Sequence, residues 1–261
     1  MPTPNVPLQR RDADAVAWLT LNRPDARNAL SMELMQALDD ALVAIAEEPA
    51  IKAVVIGGAG PAFCAGHDLR ELRAQQERTA CEAAFARCSA LMQRIVHLPK
   101  PVIARVHGIA TAAGCQLVAS CDLAIATESA RFATPGVHIG LFCSTPMVAL
   151  SRAVGRKAAM EMLLTGEPIG AARAREIGLV NRVVPEPALD AAVAELAGQI
   201  VAKSPVSIAI GKEAFYRQAE LPLTDAYAYA SEAMVRNMMT GDAKEGIDAF
   251  LARRQPVWTG T

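Results

Sequence analysis

Residues 100–122 read KPVIARVHGIATAAGCQLVASCD, and this stretch decides the fold. Pro101 opens a β-branched run (Val102, Ile103, Val106) that gives way at Gly108 to small residues and then to a helix-forming segment over 114–119, with Leu117 and Val118 as its apolar members. The order is strand, tight loop, helix start. Ala112, Ala113 and Gly114 are small enough to let a ligand approach the backbone, and N–H groups at a helix N-terminus lack an intrahelical partner. One reading is half of an oxyanion hole; the other is a strand-to-helix turn kept tight by small side chains.

The flanking chain repeats this alternation. Val16 to Leu21 reads as a strand ending at Asn22-Arg23-Pro24, and Ser31 caps a helix whose Leu34, Leu38, Ala41, Leu42 and Ile45 share one face. A buried-type strand over 53–56 leads into the loop GGAGPAFCAGHDL, followed by a long helix over 81–96 and a short strand over 123–126. Strands alternating with helices predict an α/β fold. After Thr145 the pattern turns helical over 147–154, 157–164 and 171–178, with Val183-Val184 as the last extended piece. Beyond Pro187 only helices fit, at about 188–203, 206–218, 223–239 and 243–253. The start, MPTPNVPLQRR, reads as a loose arm without a signal peptide. Residues 132–151 carry no formal charge, but Pro135, Gly136, Gly140 and Pro146 interrupt them, which predicts a buried wall rather than a membrane helix.

The balance of charge narrows the function. Lys plus Arg total 26 against 27 Asp plus Glu in 261 residues, a formal net charge of -1, which speaks against a nucleic-acid surface or an acidic-membrane surface. The six cysteines form no CxxC pair and have no His at metal-ligand spacing, so no metal is expected. Reduced core thiols in a cytoplasmic protein are the reading they support.

Several segments converge in order along nearly the whole chain: FCAGHDLREL, KPVIARVHG with AAGCQLVASCD, RFATPGVHIGL, RAVGRKAAMEMLLTGEPI with AREIGLVNRVVP, and EGIDAFLARRQP. Together they resemble the crotonase (enoyl-CoA hydratase/isomerase) superfamily. ATAAGCQLVASCD, FATPGV followed by GLFCSTP, and RRQPVW look like one subgroup in particular, that of enoyl-CoA hydratase domain-containing protein 3. The resemblance implies a crotonase-like spiral of ββα turns over residues 1–204, which carries the acyl-CoA site, and a helical C-terminal trimerisation region over 205–261. It also implies a homotrimer or a hexamer built as a dimer of trimers, no permanently bound cofactor, and coenzyme A entering as part of an acyl-CoA thioester substrate.

By matching motifs, the oxyanion-hole N–H groups belong to His67 and Ala113. His67 is either only the owner of an amide or also an imidazole facing the ligand. Hydratases of the family add water with two glutamates, and the matching positions here are Gln116 and Gly136. An amide exchanges no proton near neutral pH and glycine has no side chain, so ordinary hydration is not expected; restoring both glutamates should bring it back. Gln116 either holds a water or the acyl chain, or is a relic. Ser144 and its neighbour Cys143, His138 and Glu71 are the other polar candidates, each with a structural alternative. For coenzyme A the matching positions are Arg27, Ala65, His67, Asp68 and Leu69, with Arg70 and Lys212 as phosphate contacts. The expected function is acyl-CoA processing as a nominal lyase or isomerase; the alternative is a non-catalytic acyl-CoA binding protein.

Overall fold

The computed structural model describes residues 6–74 and 77–261. It opens on a strand pair whose first member has no apolar period. β1 (Leu8–Ala13) is polar along its middle and pairs antiparallel with β2 (Val16–Leu21) through Asp14 and Ala15, both at positive φ as a two-residue hairpin turn requires. Residues 8–11 of the expected loose arm are therefore an edge strand, anchored by Arg10 to Asp12 and Glu48. The first five residues of that arm lie outside the described residues.

The chain continues through α1 (Met32–Ala46), β3 (Ala53–Gly58), α2 (Leu69–Ala74), α3 (Arg78–His97), β4 (Val102–Val106), β5 (Ile109–Thr111), α4 (Ala113–Ser120), β6 (Leu123–Thr127) and β7 (Arg131–Ala133). It then forms α5 (Ser144–Ala153), α6 (Arg156–Thr165), β8 (Ile169–Gly170), α7 (Ala171–Glu176), β9 (Arg182–Val184), α8 (Leu189–Val201), α9 (Pro205–Gln218), α10 (Leu223–Met238) and α11 (Gly241–Leu251). The larger sheet runs β1-β2-β3-β4-β6-β9 and is parallel from β2 onward. The smaller runs β5-β7-β8, with β5 and β7 parallel. Strands β5, β7 and β8 are too short to leave a period in the sequence.

Burial of both sheet faces explains why β3 is apolar throughout. Val54 and Ile56 face the main core with α1 and α3, while Ala53 and Val55 join Ile103 and Ile125 against Leu189, Val193 and Ala197 of α8. Ser31 caps α1 as expected, its Oγ accepting from Leu34 N at 3.2 Å.

The charge-free run over 132–151 is not a buried wall. It divides into β7, a 3-10 turn over Pro135–Ile139 and α5; Gly136, Cys143, Pro146 and Leu150 are buried, but Ile139 is 58% exposed and Leu141, Phe142, Met147 and Val148 are exposed as well. No single helix among the described residues is long and apolar enough to cross a membrane. A break at Ser204 starts the terminal helices. Its Oγ caps α9 at Ser207 N (3.2 Å) and donates to Asp242 Oδ2 (2.6 Å).

Candidate active site

Two backbone segments meet beside the smaller sheet. Cys64 N donates to Ile109 O and Thr111 N to Cys64 O, both at 3.0 Å, so the FCAG loop runs alongside β5. Gly66 has φ +92, and a Cβ there would stand 2.8 Å from Ala112 Cβ and 3.3 Å from Ala113 N. A Cβ on Gly114 would sit 2.1 Å from Cys64 O. Glycine at both positions lets the two backbones touch.

This contact brings two free donors together. Leu30 N donates to Gly66 O (2.7 Å) and Asp68 N to Leu30 O (3.1 Å), which leaves His67 N–H, on the other side of its strand, with no acceptor among the described residues. Ala113 opens α4, so its N–H has no intrahelical partner, and it finds no other acceptor among the described residues. Ala113 is fully buried. Before it, Ala112 is held at φ 51, ψ −119 while its N–H donates to Ala133 O at 2.9 Å. Such a conformation costs a non-glycine residue on the order of 1–3 kcal/mol and persists where the surroundings over-determine it.

The His67 imidazole sits among mostly apolar side chains. Its Nε2 is buried with no hydrogen-bond partner among the described residues, beside a cavity of about 10 Å³ lined by Leu30, Met32, Met35, Glu71, Leu72 and Ala84. Phe85 meets the ring edge to face at 5.3 Å. Burial pushes the imidazole pKa down and keeps the ring neutral. Glu71 is occupied elsewhere: its Oε2 accepts from Met32 N at 2.9 Å and so caps α1.

Gln116 and Gly136 differ in what surrounds them. Gln116 is buried on α4, with Oε1 3.9 Å from Cys88 Sγ, and borders a cleft of about 1560 Å³ among α3, α4, α5 and α9. Neither His67 nor Ala113 lines that cleft. Gly136 is no open slot, because a Cβ there would stand 2.9 Å from Leu141 O and 3.0 Å from Cys143 Sγ. Leu141 N donates to Gly136 O at 2.9 Å and holds the loop down on it. Ser144 Oγ donates to Phe142 O (3.3 Å), and His138 bonds Thr165 O (2.9 Å) on the surface.

Among the coenzyme positions, Arg27 O accepts from Ala65 N at 3.0 Å, so the exposed Arg27 borders the FCAG loop. Asp68 accepts from Arg23 (2.9 Å) and from the N–H groups of Arg70 and Glu71, and Arg23 holds its carboxyl below the ordinary range. Leu69 and Arg70 are exposed beside it. Lys212 does not stand free as the expected phosphate contact. Its side chain is 7% exposed and its ammonium is bound to Asp122 and two carbonyls, so it holds α9 to the core and is not available for a phosphate.

Two residues escaped the sequence reading. Asn28 is fully buried, and its Nδ2 donates to Ala59 O and Ala62 O, fixing the approach to the FCAG loop. Thr134 is 0% exposed and its Oγ1 has no hydrogen-bond partner among the described residues. A threonine inside the otherwise apolar FATPGV was the available signal.

A family sequence model described as Enoyl-CoA hydratase/isomerase matches residues 11–261. Enoyl-CoA hydratase domain-containing protein 3, mitochondrial, from Rattus norvegicus is 47% identical over 249 residues, covering 95% of this chain and 83% of that protein. A crystal structure of an enoyl-CoA hydratase from Mycobacterium smegmatis superposes with TM-score 0.94 at 55% identity, covering 97% of this chain and 98% of the other. That of human enoyl-CoA hydratase domain-containing protein 3 gives TM-score 0.94 at 46% identity, over 97% and 100%. The expected subgroup likeness and crotonase-like α/β fold hold. The cytoplasmic expectation does not, since the relatives from rat, mouse, Xenopus laevis and human are all named mitochondrial.

Proposed function

The chain belongs to the enoyl-CoA hydratase/isomerase family, and we propose that it binds acyl-CoA thioesters through a backbone oxyanion hole while lacking the groups for ordinary hydration. One observation carries this reading: the N–H groups of His67 and Ala113 lie on touching backbone segments and both lack an acceptor among the described residues. A thioester carbonyl placed between them accepts two hydrogen bonds that strengthen as charge builds on its oxygen. Each such donor typically contributes about 2.7–4 kcal/mol to the transition state. Arg27 and Arg70, exposed around the loop, suit the phosphates of coenzyme A. Coenzyme A then enters only as part of the substrate.

Water addition needs a group to take a proton from water and one to deliver a proton to the α-carbon. Gln116 does neither, and Gly136 has no side chain. Crotonyl-CoA hydration is therefore slower than in a two-glutamate site by at least about 10²-fold. A lyase or isomerase using another proton carrier is one outcome. A non-catalytic acyl-CoA binder is the other, favoured by the loop packed down over Gly136.

Assembly belongs to the same reading. Phe215, Leu223, Tyr227, Met239, Phe250 and Leu251 are all largely exposed on the terminal helices and are suited to burial between copies in a homotrimer or hexamer. Calorimetry with butyryl-CoA, free coenzyme A and butyrate tests the site. Binding of the thioester well above either fragment is expected, and no binding of butyryl-CoA refutes the reading. Light scattering at micromolar protein tests assembly, and a monomer refutes it.

A further inference from the structure

Each free amide is the outer end of a chain of hydrogen-bonded peptide groups, and the two chains begin differently. In a trans peptide the C=O and the following N–H point in opposite directions, so a donor on the carbonyl aims the amide away from itself. The peptide carrying Ala113 N–H has its carbonyl, Ala112 O, bonded by Gln116 N at 3.0 Å, so this chain begins inside α4. The peptide carrying His67 N–H has its carbonyl, Gly66 O, bonded by Leu30 N at 2.7 Å. The carbonyl of that donor peptide, Ala29 O, accepts in turn from Arg23 Nη1. From the guanidinium outward the order is Arg23, the peptide between Ala29 and Leu30, the peptide between Gly66 and His67, and then the free N–H.

The surrounding contacts hold Arg23 to this carbonyl. Its backbone N–H donates to Asn28 Oδ1 (2.9 Å) and its C=O accepts from Asn28 N (2.8 Å). Nη2 donates to Asp68 Oδ2 at 2.9 Å, which leaves Nη1 to Ala29 O. One guanidinium fork thus joins both partners of the Leu30–His67 bridge, through the carbonyl before Leu30 and the carboxylate after His67. The Arg23 and Asp68 side chains are largely shielded from water, at 26% and 15% exposed.

Resting on the acyl-CoA reading above, we propose that Arg23 is a positioning residue for the oxyanion hole: its positive charge, relayed through two peptide groups, aims His67 N–H and strengthens it as a donor to the thioester carbonyl. Hydrogen bonds in series polarise one another by about 10–30% per bond. A bond from a charged donor is roughly twice as strong as a neutral one, so the chain starts from a strong link. Arg23 acts through the peptides and not on the substrate. A clasp that only held the loop in place would change stability and affinity, but not the polarisation of a carbonyl already bound.

The test saturates the full chain with butyryl-CoA isotopically labelled at the thioester carbonyl and reads the carbonyl stretch by infrared difference spectroscopy, with calorimetry alongside. In the parent the band should stand below that of the free ester. In Arg23→Met combined with Asp68→Asn, which leaves no carboxylate unpaired, the downshift should shrink by about 10–30%. Arg23→Lys keeps the charge without the fork and should restore part of it. Arg10→Met, which removes a cation held by Asp12 and Glu48, should keep the parent downshift. Only folded, ester-bound protein contributes to the difference band, so partial folding of a variant weakens the signal without moving it. Equal downshifts in the parent and the double variant overturn the proposal, even where affinity or stability falls. A downshift that shrinks as much in Arg10→Met overturns it in favour of net charge. If the parent binds butyryl-CoA without any downshift, the oxyanion hole fails and the proposal with it; if butyryl-CoA does not bind at all, the acyl-CoA reading itself has failed.

Discussion

Lys212 Nζ, on α9, lies 2.6 Å from Asp122 Oδ2 and completes its hydrogen bonding with the carbonyls of Ile95 (2.9 Å) and Lys100 (3.0 Å). The carboxylate is shared further: Tyr216 OH donates to Oδ1 at 2.9 Å and Val102 N to Oδ2 at 2.7 Å. The two side chains are 7% and 15% exposed. Burial pulls the Lys212 pKa down while Asp122 pulls it up. This cluster ties the first terminal helix to the end of α3 and the start of β4.

Removing one member leaves the other charge buried. Lys212→Met should cost about 3 kcal/mol of unfolding free energy, at the lower end of what breaking a buried pair costs. Urea denaturation measures it, and butyryl-CoA affinity should not change. A weakened affinity with unchanged stability would restore Lys212 as a phosphate contact.

Ala112 holds a backbone conformation that suits glycine, at φ 51, ψ −119. Ala112→Gly relieves strain but adds freedom to the unfolded chain, and the first effect is the larger. A gain of about 1 kcal/mol in urea denaturation is expected. A loss of stability would show that the turn is not strained.

Restoring hydration by putting both glutamates back fails at one position. Gly136→Glu drives its side chain into Leu141 O and Cys143 Sγ, so it should destabilise by about 1–3 kcal/mol, as overpacking does, and add no hydration. Gln116→Glu keeps its volume and supplies one carboxyl. The decay of the crotonyl-CoA absorbance reads both variants, with only Gln116→Glu raising the rate. A faster Gly136→Glu protein would mean that the 141–143 loop opens easily.

Acid should weaken the FCAG loop through His67. Burial lowers its pKa in the folded chain below the ordinary value of about 6.5, so between the two values the unfolded chain binds more protons. The stabilising contribution is fully present above about pH 6.5 and is lost as pH falls toward the folded value. Denaturation midpoints taken from neutral pH down to about 5 should fall more steeply in the parent than in His67→Gln. Parallel slopes would mean that the imidazole is solvated in solution.

The sequence by itself determined the elements that carry their own apolar pattern over several residues: a one-faced pattern in β2, α1, α3 and the terminal helices, and a nearly continuous apolar run in β3 and β4. The small residues at 112–114 marked one amide-bearing turn, whereas the turn at Ala65-Gly66 was legible only through the family resemblance, because what demands glycine there is the approach of a distant backbone. The polar edge strand β1 was hidden because its stability comes from pairing with β2 and not from its own pattern. Tertiary structure alone decided the polar partnerships across the chain. Lys212 looked like a free cation until Asp122, 90 residues away, took it up. Gly136 looked like an empty place until the 141–143 loop lay across it. Charge and volume are written residue by residue, whereas what fills a space or satisfies a buried donor is settled only when distant segments pack.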